Sequence, residues 1–491
     1  MQLDRDLESI QAVRDLMRSA KAAAAALAEF SQEQLDRICA EIAKEGAANA
    51  ERLAKLAHEE TGFGVWQDKV LKNELGSAMT WEAWKHTRCV GMLNEGMAKH
   101  DLWEIGVPVG IIAALIPSTN PTSTTLYKAI ISLKAGNAIV FSPHPNAKRS
   151  ILAAVELIQS AAARAGAPEH AVQSITLPTM EAANALLTHR DTSIILATGG
   201  EAMVRAAYSS GNPAIGVGPG NGPAFIEQSA DISTAVRHII QSKTFDNGTI
   251  CASEQSVVTE SCISAQAEEE FKRQGGYFLS DEESSQLAKL LLRPNGAMNP
   301  QIVGKSAAVI AEMAGIFAPA GTKILLSRQS EVNPRSPYAR EKLCPVLAWF
   351  TAPDWQTACE RCIALLQTEG AGHTMTIHSK NEAVIREFAL KKPVSRLLVN
   401  TPAALGGVGA TTALSPALTL GCGAVGGSST SDNIGPLHLI NIRRVAFGIK
   451  EIEGKTQPEN HTQVQEQVQE INITPEQIAE ITRKVLARLG R

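Results

Sequence analysis

The sequence predicts an α/β protein built on a parallel, doubly wound sheet, and three observations lead there. Short apolar runs rich in branched residues recur at 109–116, 138–141 and 193–197. Each ends in small, polar or proline-rich residues, as buried parallel strands do. Helical stretches at 125–135 and 147–165 separate them. Strands alternating with helices place a ligand at the carboxyl ends of the strands.

Taken in order, residues 3–62 read as helices: apolar positions recur every three or four residues and alanine is abundant. Ser31-Gln-Glu-Gln34 has the capping-box form and starts one of them. The three strands follow. Residues 216–222 are dense in glycine and proline and read as a hinge, or as a loop approaching a ligand closely. A second α/β region runs from about 223 to about 435, and 437–447 alternates enough to form one more strand. Residues 454–470, rich in Gln, Glu and Asn, read as a flexible linker. Thr474-Pro-Glu-Gln477 then supplies an N-cap, a first-turn proline and a capping-box glutamine. Ile478, Ile481, Val485 and Leu489 follow on one face, with Leu486 beside them, opposite Glu480, Arg483, Lys484 and Arg488. The tail is therefore an amphipathic helix on a tether, over 472–491.

Composition narrows the function classes. With 491 residues, 44% apolar and 20% charged, the chain has room for two or three domains. A net charge of −4 with no basic stretch argues against nucleic acid. The longest apolar stretch, 107–117, is broken by Pro108 and Gly110 and is too short for a bilayer. No signal-peptide core precedes it, so the expected setting is the cytoplasm, away from membranes. The eight cysteines are scattered, as suits reduced thiols. Cys359 and Cys362 form a lone CxxC that reads as structural, so no metal is expected.

Three elements carry chemistry. Cys251, in Phe245-Asp-Asn-Gly-Thr-Ile-Cys251, follows a glycine-containing turn. A nucleophilic cysteine needs open approach and a lowered pKa, which a turn leading into a helix provides, although a cysteine in a turn is also an ordinary structural feature. Asn120, in a polar loop after the first strand, has an amide able to donate to a developing oxyanion, or to cap the next helix. Leu196-Ala-Thr-Gly199-Gly200 reads as strand, turn and helix start, which suits a pyrophosphate. His373 and His438 are expected to pack or hydrogen-bond locally.

Together these pieces resemble the aldehyde dehydrogenase superfamily over residues 1 to about 450. Within it they look most like coenzyme A-acylating aldehyde dehydrogenases of the acetaldehyde/propionaldehyde type. Further matching stretches are Phe141-Ser-Pro-His-Pro145, Gly216-Val-Gly-Pro-Gly-Asn-Gly-Pro223, Glu341-Lys-Leu-Cys-Pro345, Gly370-Ala-Gly-His-Thr374 and Leu398-Val-Asn-Thr401. The resemblance implies a Rossmann-type dinucleotide-binding domain over 1–220, with an oligomerisation hairpin at about 88–103. It implies a catalytic thiol domain over 221–436 and an oligomerisation strand at 437–450, hence a homo-oligomer. It implies Cys251 as nucleophile, Asn120 as the side-chain half of the oxyanion hole, and Glu341 on the nicotinamide ribose. Thr198 and Gly199 match the pyrophosphate turn. Ser142 and Pro143 stand where relatives carry a lysine on the adenosine ribose, so NAD is favoured with NADP still open.

Hydrolytic members of the superfamily carry a glutamate general base; alignment on Pro223 puts Val217 there, thirty-four residues before Cys251. The implied reaction is therefore reversible oxidation of a short-chain aldehyde to acyl-CoA. A hydrolytic enzyme making free acid, or a non-catalytic microcompartment assembly component, are the competing readings. The tail helix resembles the encapsulation peptides that dock such enzymes to shell or cargo proteins inside bacterial microcompartments.

Overall fold

The computed structural model describes residues 4–94, 102–293, 296–450 and 474–488. Its described residues divide into one large unit ending at Val445 and a second that begins at Ala446.

Within the large unit, a five-stranded parallel sheet has the spatial order Val172–Ser174, Ala138–Pro143, Ile111–Ile116, Ile194–Thr198, Ala214–Val217. The chain starts in the middle, steps outward twice, then returns to the other side. Strand order thus reverses between Ile111–Ile116 and Ile194–Thr198, which opens a crevice at their carboxyl ends.

Both faces of this sheet are covered, which explains the unbroken apolar run. Ile112, Ala114 and Ile116 join Leu35, Ile38, Ile42, Leu126 and Ile130 in one buried cluster. Ile111, Ala113 and Leu115 point the other way, to Val13, Met17 and Ala20 of the first helix, Arg5–Leu27. The capping box at Ser31 and Gln34 forms as expected and starts helix Gln32–Ala48.

A seven-stranded sheet, also parallel, has the order Gly276–Phe278, Ile324–Arg328, Val346–Ala352, Ser256–Glu260, Pro223–Ile226, Gly372–His378, Val394–Val399. Cys359 and Cys362 are buried on helix Trp355–Thr368 behind it. A third sheet joins Gly91–Met92, Leu102–Pro108 and Ile440–Ala446, with Met92 opposite Ile105. The expected hairpin at 88–103 is therefore paired at its base; residues 95–101 lie outside the described residues. The late strand begins at Ile440, not 437, because Pro436–Leu439 forms a 3-10 turn.

In the second unit, Pro475–Arg488 is helical, and the Thr474 N–H donates to Gln477 Oε1 at 3.0 Å. Ile478, Ile481, Val485 and Leu486 are all about half exposed. The linker expected at 454–470, and Leu489, lie outside the described residues. Among those described, no helix is long and apolar enough to cross a membrane.

Candidate active site

The amino ends of four neighbouring strands of the seven-stranded sheet converge on the crevice of the other sheet. Glu341 precedes Val346–Ala352, Cys251 precedes Ser256–Glu260, Gly220 precedes Pro223–Ile226, and His373 is the second residue of Gly372–His378. Between the two sheets lies a cavity of about 490 Å³. Asn120, Thr198, Gly199, Val217, Cys251 and Glu341 all line it.

Cys251 is partly exposed, and its Sγ lies 3.2 Å from His373 Nε2. Two sequence expectations need correction here. The turn before the thiol, Phe245–Gly248, leads into a strand and not a helix, so no helix N-terminus lowers the pKa. Burial, with the Glu341 carboxylate adding to it, instead pushes the resting thiol up to about 12. His373, expected to make only local contacts, is the imidazole at the sulfur. Burial and the nearby Arg396 guanidinium hold it neutral, with a pKa lowered to about 3. The strand pairing that brings residue 373 to residue 251 is not visible in local sequence. His438 does bond locally, to Asp432 Oδ2 at 3.0 Å.

Asn120 precedes helix Pro121–Lys134, yet its side chain makes no cap bond to it. Its Oδ1 accepts from Lys72 Nζ at 2.6 Å, and its Nδ2 donates to the Thr249 carbonyl at 3.2 Å. Lysine can only donate, so the Oδ1 end is held by Lys72, and Nδ2 is the end that points to Thr249 and to the Thr119 hydroxyl at 3.3 Å. Lys72 belongs to a buried charge cluster: it pairs with Asp246 Oδ2, which also receives Lys69 Nζ at 2.9 Å and the Thr249 hydroxyl at 2.6 Å. These bonds hold Asp246 and Asn247 at φ of 49° and 51°, a left-handed bend that costs energy in non-glycine residues. Sequence reasoning missed Lys69, Lys72 and Asp246, which come together only when helix Trp66–Glu74 docks on the turn.

On the opposite side of the cavity, Gly200 caps helix Glu201–Tyr208 just beyond Thr198 and Gly199. A Cβ on Gly200 or Gly218 would meet nothing within 4 Å; both glycines line the cavity, so a side chain there would fill it. This open, backbone-walled crevice fits a dinucleotide. Glu341 Oε1 accepts from the Gly220 N–H at 2.8 Å, and burial raises its carboxyl to about 8. Ser142 and Pro143 end their strand, buried, at the edge of the crevice; their neighbour His144 is the residue that reaches the cavity lining. Val217, 3% exposed, closes the cavity wall with hydrocarbon.

Comparison with known proteins agrees with this geometry. Residues 7–276 match the aldehyde dehydrogenase family. The chain is 44% identical to the bifunctional aldehyde-alcohol dehydrogenase AdhE of Escherichia coli (strain K12), over 88% of this chain and 49% of that protein. It thus spans about half the length of that curated relative. A crystal structure of an acetylating aldehyde dehydrogenase from Geobacillus thermoglucosidasius superposes with a TM-score of 0.90 at 48% identity, covering 92% of this chain and 100% of that one. Two propionaldehyde dehydrogenases also share the fold. One, from the Clostridium phytofermentans fucose utilisation bacterial microcompartment, has TM-score 0.81 and 28% identity, covering 89% of this chain and 97% of that one. The other, from Rhodopseudomonas palustris with bound CoA and an acylated cysteine, has TM-score 0.80 and 26% identity, covering 89% and 97%. This chain belongs to the aldehyde dehydrogenase family.

Proposed function

We propose that this chain is a CoA-acylating aldehyde dehydrogenase that oxidises a short-chain aldehyde through a thioester on Cys251. The observation that carries this reading is Val217 in the cavity wall, where the resemblance puts the base of the hydrolytic enzymes. A positioned base typically contributes 10²–10⁴-fold, and hydrocarbon cannot take a proton from water. A thioester on Cys251 would therefore persist until a thiol attacks it.

In this reading the Cys251 sulfur adds to the aldehyde carbonyl. Asn120 Nδ2 and the Cys251 N–H hold the oxygen as it becomes negative. When bound, the nicotinamide cofactor accepts the hydride that leaves the former aldehyde carbon. Gly199 and Gly200 would cradle its pyrophosphate, Thr198 would border it, and Glu341 would receive its ribose hydroxyls. Ser142 and Pro143 would lie by the adenosine ribose. NAD is favoured from the resemblance, with NADP as the alternative. In the second half-reaction the CoA thiolate attacks the thioester carbon, the C–S bond to Cys251 breaks, and acyl-CoA leaves. Residues 1–220 would serve as the cofactor domain and 221–436 as the thiol domain, with the three-stranded sheet as the surface for a second copy. The tail helix would carry the enzyme to a microcompartment shell or cargo protein, since its half-exposed apolar face suits a groove.

The test is NADH formation from acetaldehyde with and without CoA, with acyl-CoA and free acid quantified. CoA-dependent turnover to a thioester is expected; rapid CoA-independent release of acid would refute the reading. Deleting 472–491 should leave that activity intact while abolishing co-purification with shell proteins, and persistence of co-purification would remove the address role.

A further inference from the structure

Arg396 is 3% exposed on strand Val394–Val399, directly opposite Thr374 in the parallel register. Its Nε donates to Thr374 Oγ1 at 3.1 Å, and its Nη2 to the carbonyls of His373 at 3.2 Å and Gly421 at 2.5 Å. Nη1 donates to the Ser431 carbonyl at 3.1 Å and to Asn433 Oδ1 at 3.3 Å. Every one of these acceptors is neutral.

The bond to Thr374 decides what lies beyond it. A guanidinium can only donate, so Thr374 Oγ1 receives that N–H on a lone pair and keeps its own proton to give. Thr374 is 1% exposed, and among the described residues the acceptor in reach of that proton is His373 Nδ1, at 3.0 Å. The opposite arrangement, Nδ1–H donating to Oγ1, would leave a buried hydroxyl proton unpaired, which is unfavourable. The His373 ring is neutral and carries one proton. If Nδ1 accepts, that proton is on Nε2, the atom 3.2 Å from Cys251 Sγ.

We infer that Arg396 and Thr374 are positioning residues that hold His373 as the Nε2–H tautomer, making it a hydrogen-bond donor to the Cys251 sulfur. The inference rests on Cys251 being the acyl carrier proposed above. A donor at the sulfur stabilises negative charge there at two moments. One is the attack on the aldehyde. The other is thiolysis, when the CoA thiolate bonds to the acyl carbon, the carbon–Sγ bond breaks, and its electron pair moves onto Sγ. His373 in this form does not take the Cys251 proton. The other charged or titratable groups facing the sulfur are Glu341 and Cys422, which oppose the thiolate, and Arg396, which favours it.

The experiment compares Thr374→Val, which keeps shape without the hydroxyl, with Thr374→Ser, which keeps the hydroxyl. Iodoacetamide modification of Cys251 in the free enzyme is followed by peptide mass spectrometry from pH 6 to 10, alongside the NADH burst, CoA-dependent turnover and melting temperature. The serine variant should match wild type. The valine variant should be modified roughly tenfold more slowly at each pH of that range, which is the effect of raising by about one unit the pKa of a thiol that titrates above it, and turn over with CoA roughly tenfold more slowly, as loss of a donor to a charged group implies. Thr374→Ala makes the same comparison should the valine variant fail to fold. An unchanged modification profile and turnover in a folded valine or alanine variant would overturn the inference. So would faster modification, because it would mean that Nε2 had been the acceptor. Absence of CoA-dependent acyl transfer in the wild-type enzyme would instead sink the functional reading, while the modification profile would still report on the tautomer.

Discussion

Replacing Lys72 with methionine should slow acylation without touching the nucleophile. Lys72 is buried, donates to Asn120 Oδ1 at 2.6 Å and to the Thr249 hydroxyl at 3.2 Å, and pairs with Asp246. Methionine fills a similar volume and makes none of these bonds. Asn120 would then lose the donor that fixes its oxygen, and only the longer Nδ2 bonds to the Thr249 carbonyl at 3.2 Å and the Thr119 hydroxyl at 3.3 Å would orient the amide. A charge-assisted hydrogen bond of this kind contributes about 1.5–3 kcal/mol. Complete loss of an oxyanion donor costs roughly 10²–10³ in rate. Because the amide would still point correctly part of the time, the expected fall is about 10- to 100-fold. The fold should survive, since Asp246 keeps Lys69 at 2.9 Å, the Val65 N–H at 2.7 Å and the Thr249 hydroxyl at 2.6 Å. The assay is the first-turnover NADH burst without CoA, run on Lys72→Met, Asn120→Ala and the double variant. If Lys72 acts through Asn120, the double variant is no slower than Asn120→Ala. A Lys72→Met burst at wild-type speed, or multiplicative losses in the double variant, would refute the reasoning.

Two other predictions follow from the same structure. Val217→Glu should add CoA-independent acid release of roughly 10²-fold over wild type, by placing a base in the cavity wall; no acid from a variant whose Cys251 still reacts with iodoacetamide would count against the role of Val217. His378, outside the cavity, is held neutral by burial and by His238, with a pKa lowered to about 3. The unfolded chain binds a proton there below its unperturbed value and the folded one does not, so stability is lost as pH falls through that window. At pH 5 the loss is about 2 kcal/mol, so His378→Gln should have a correspondingly flatter urea midpoint between pH 7 and 5. Equal slopes would show that the ring is not the source.

Local sequence determined those features whose cause is local. The branched runs became strands because both faces of the five-stranded sheet are covered, so each run is apolar throughout. The capping box at Ser31 and the Thr474–Gln477 bond started helices because these bonds span three residues. Cys251, Asn120, Thr198, Gly199 and Glu341 were legible as a set through their motifs, and the structure brings all five to one cavity. The second set of groups was not legible. Lys72 reaches Asn120 across forty-eight positions, His373 reaches Cys251 across 122, and Arg396 reaches Thr374 only through the pairing of parallel strands. The thiol's raised pKa likewise reflects burial and the approach of Glu341, which no spacing around Cys251 encodes. Hydrogen-bond polarity and charge at a buried site depend on which donors arrive from distant segments, and only the packing of the two sheets against each other decides that.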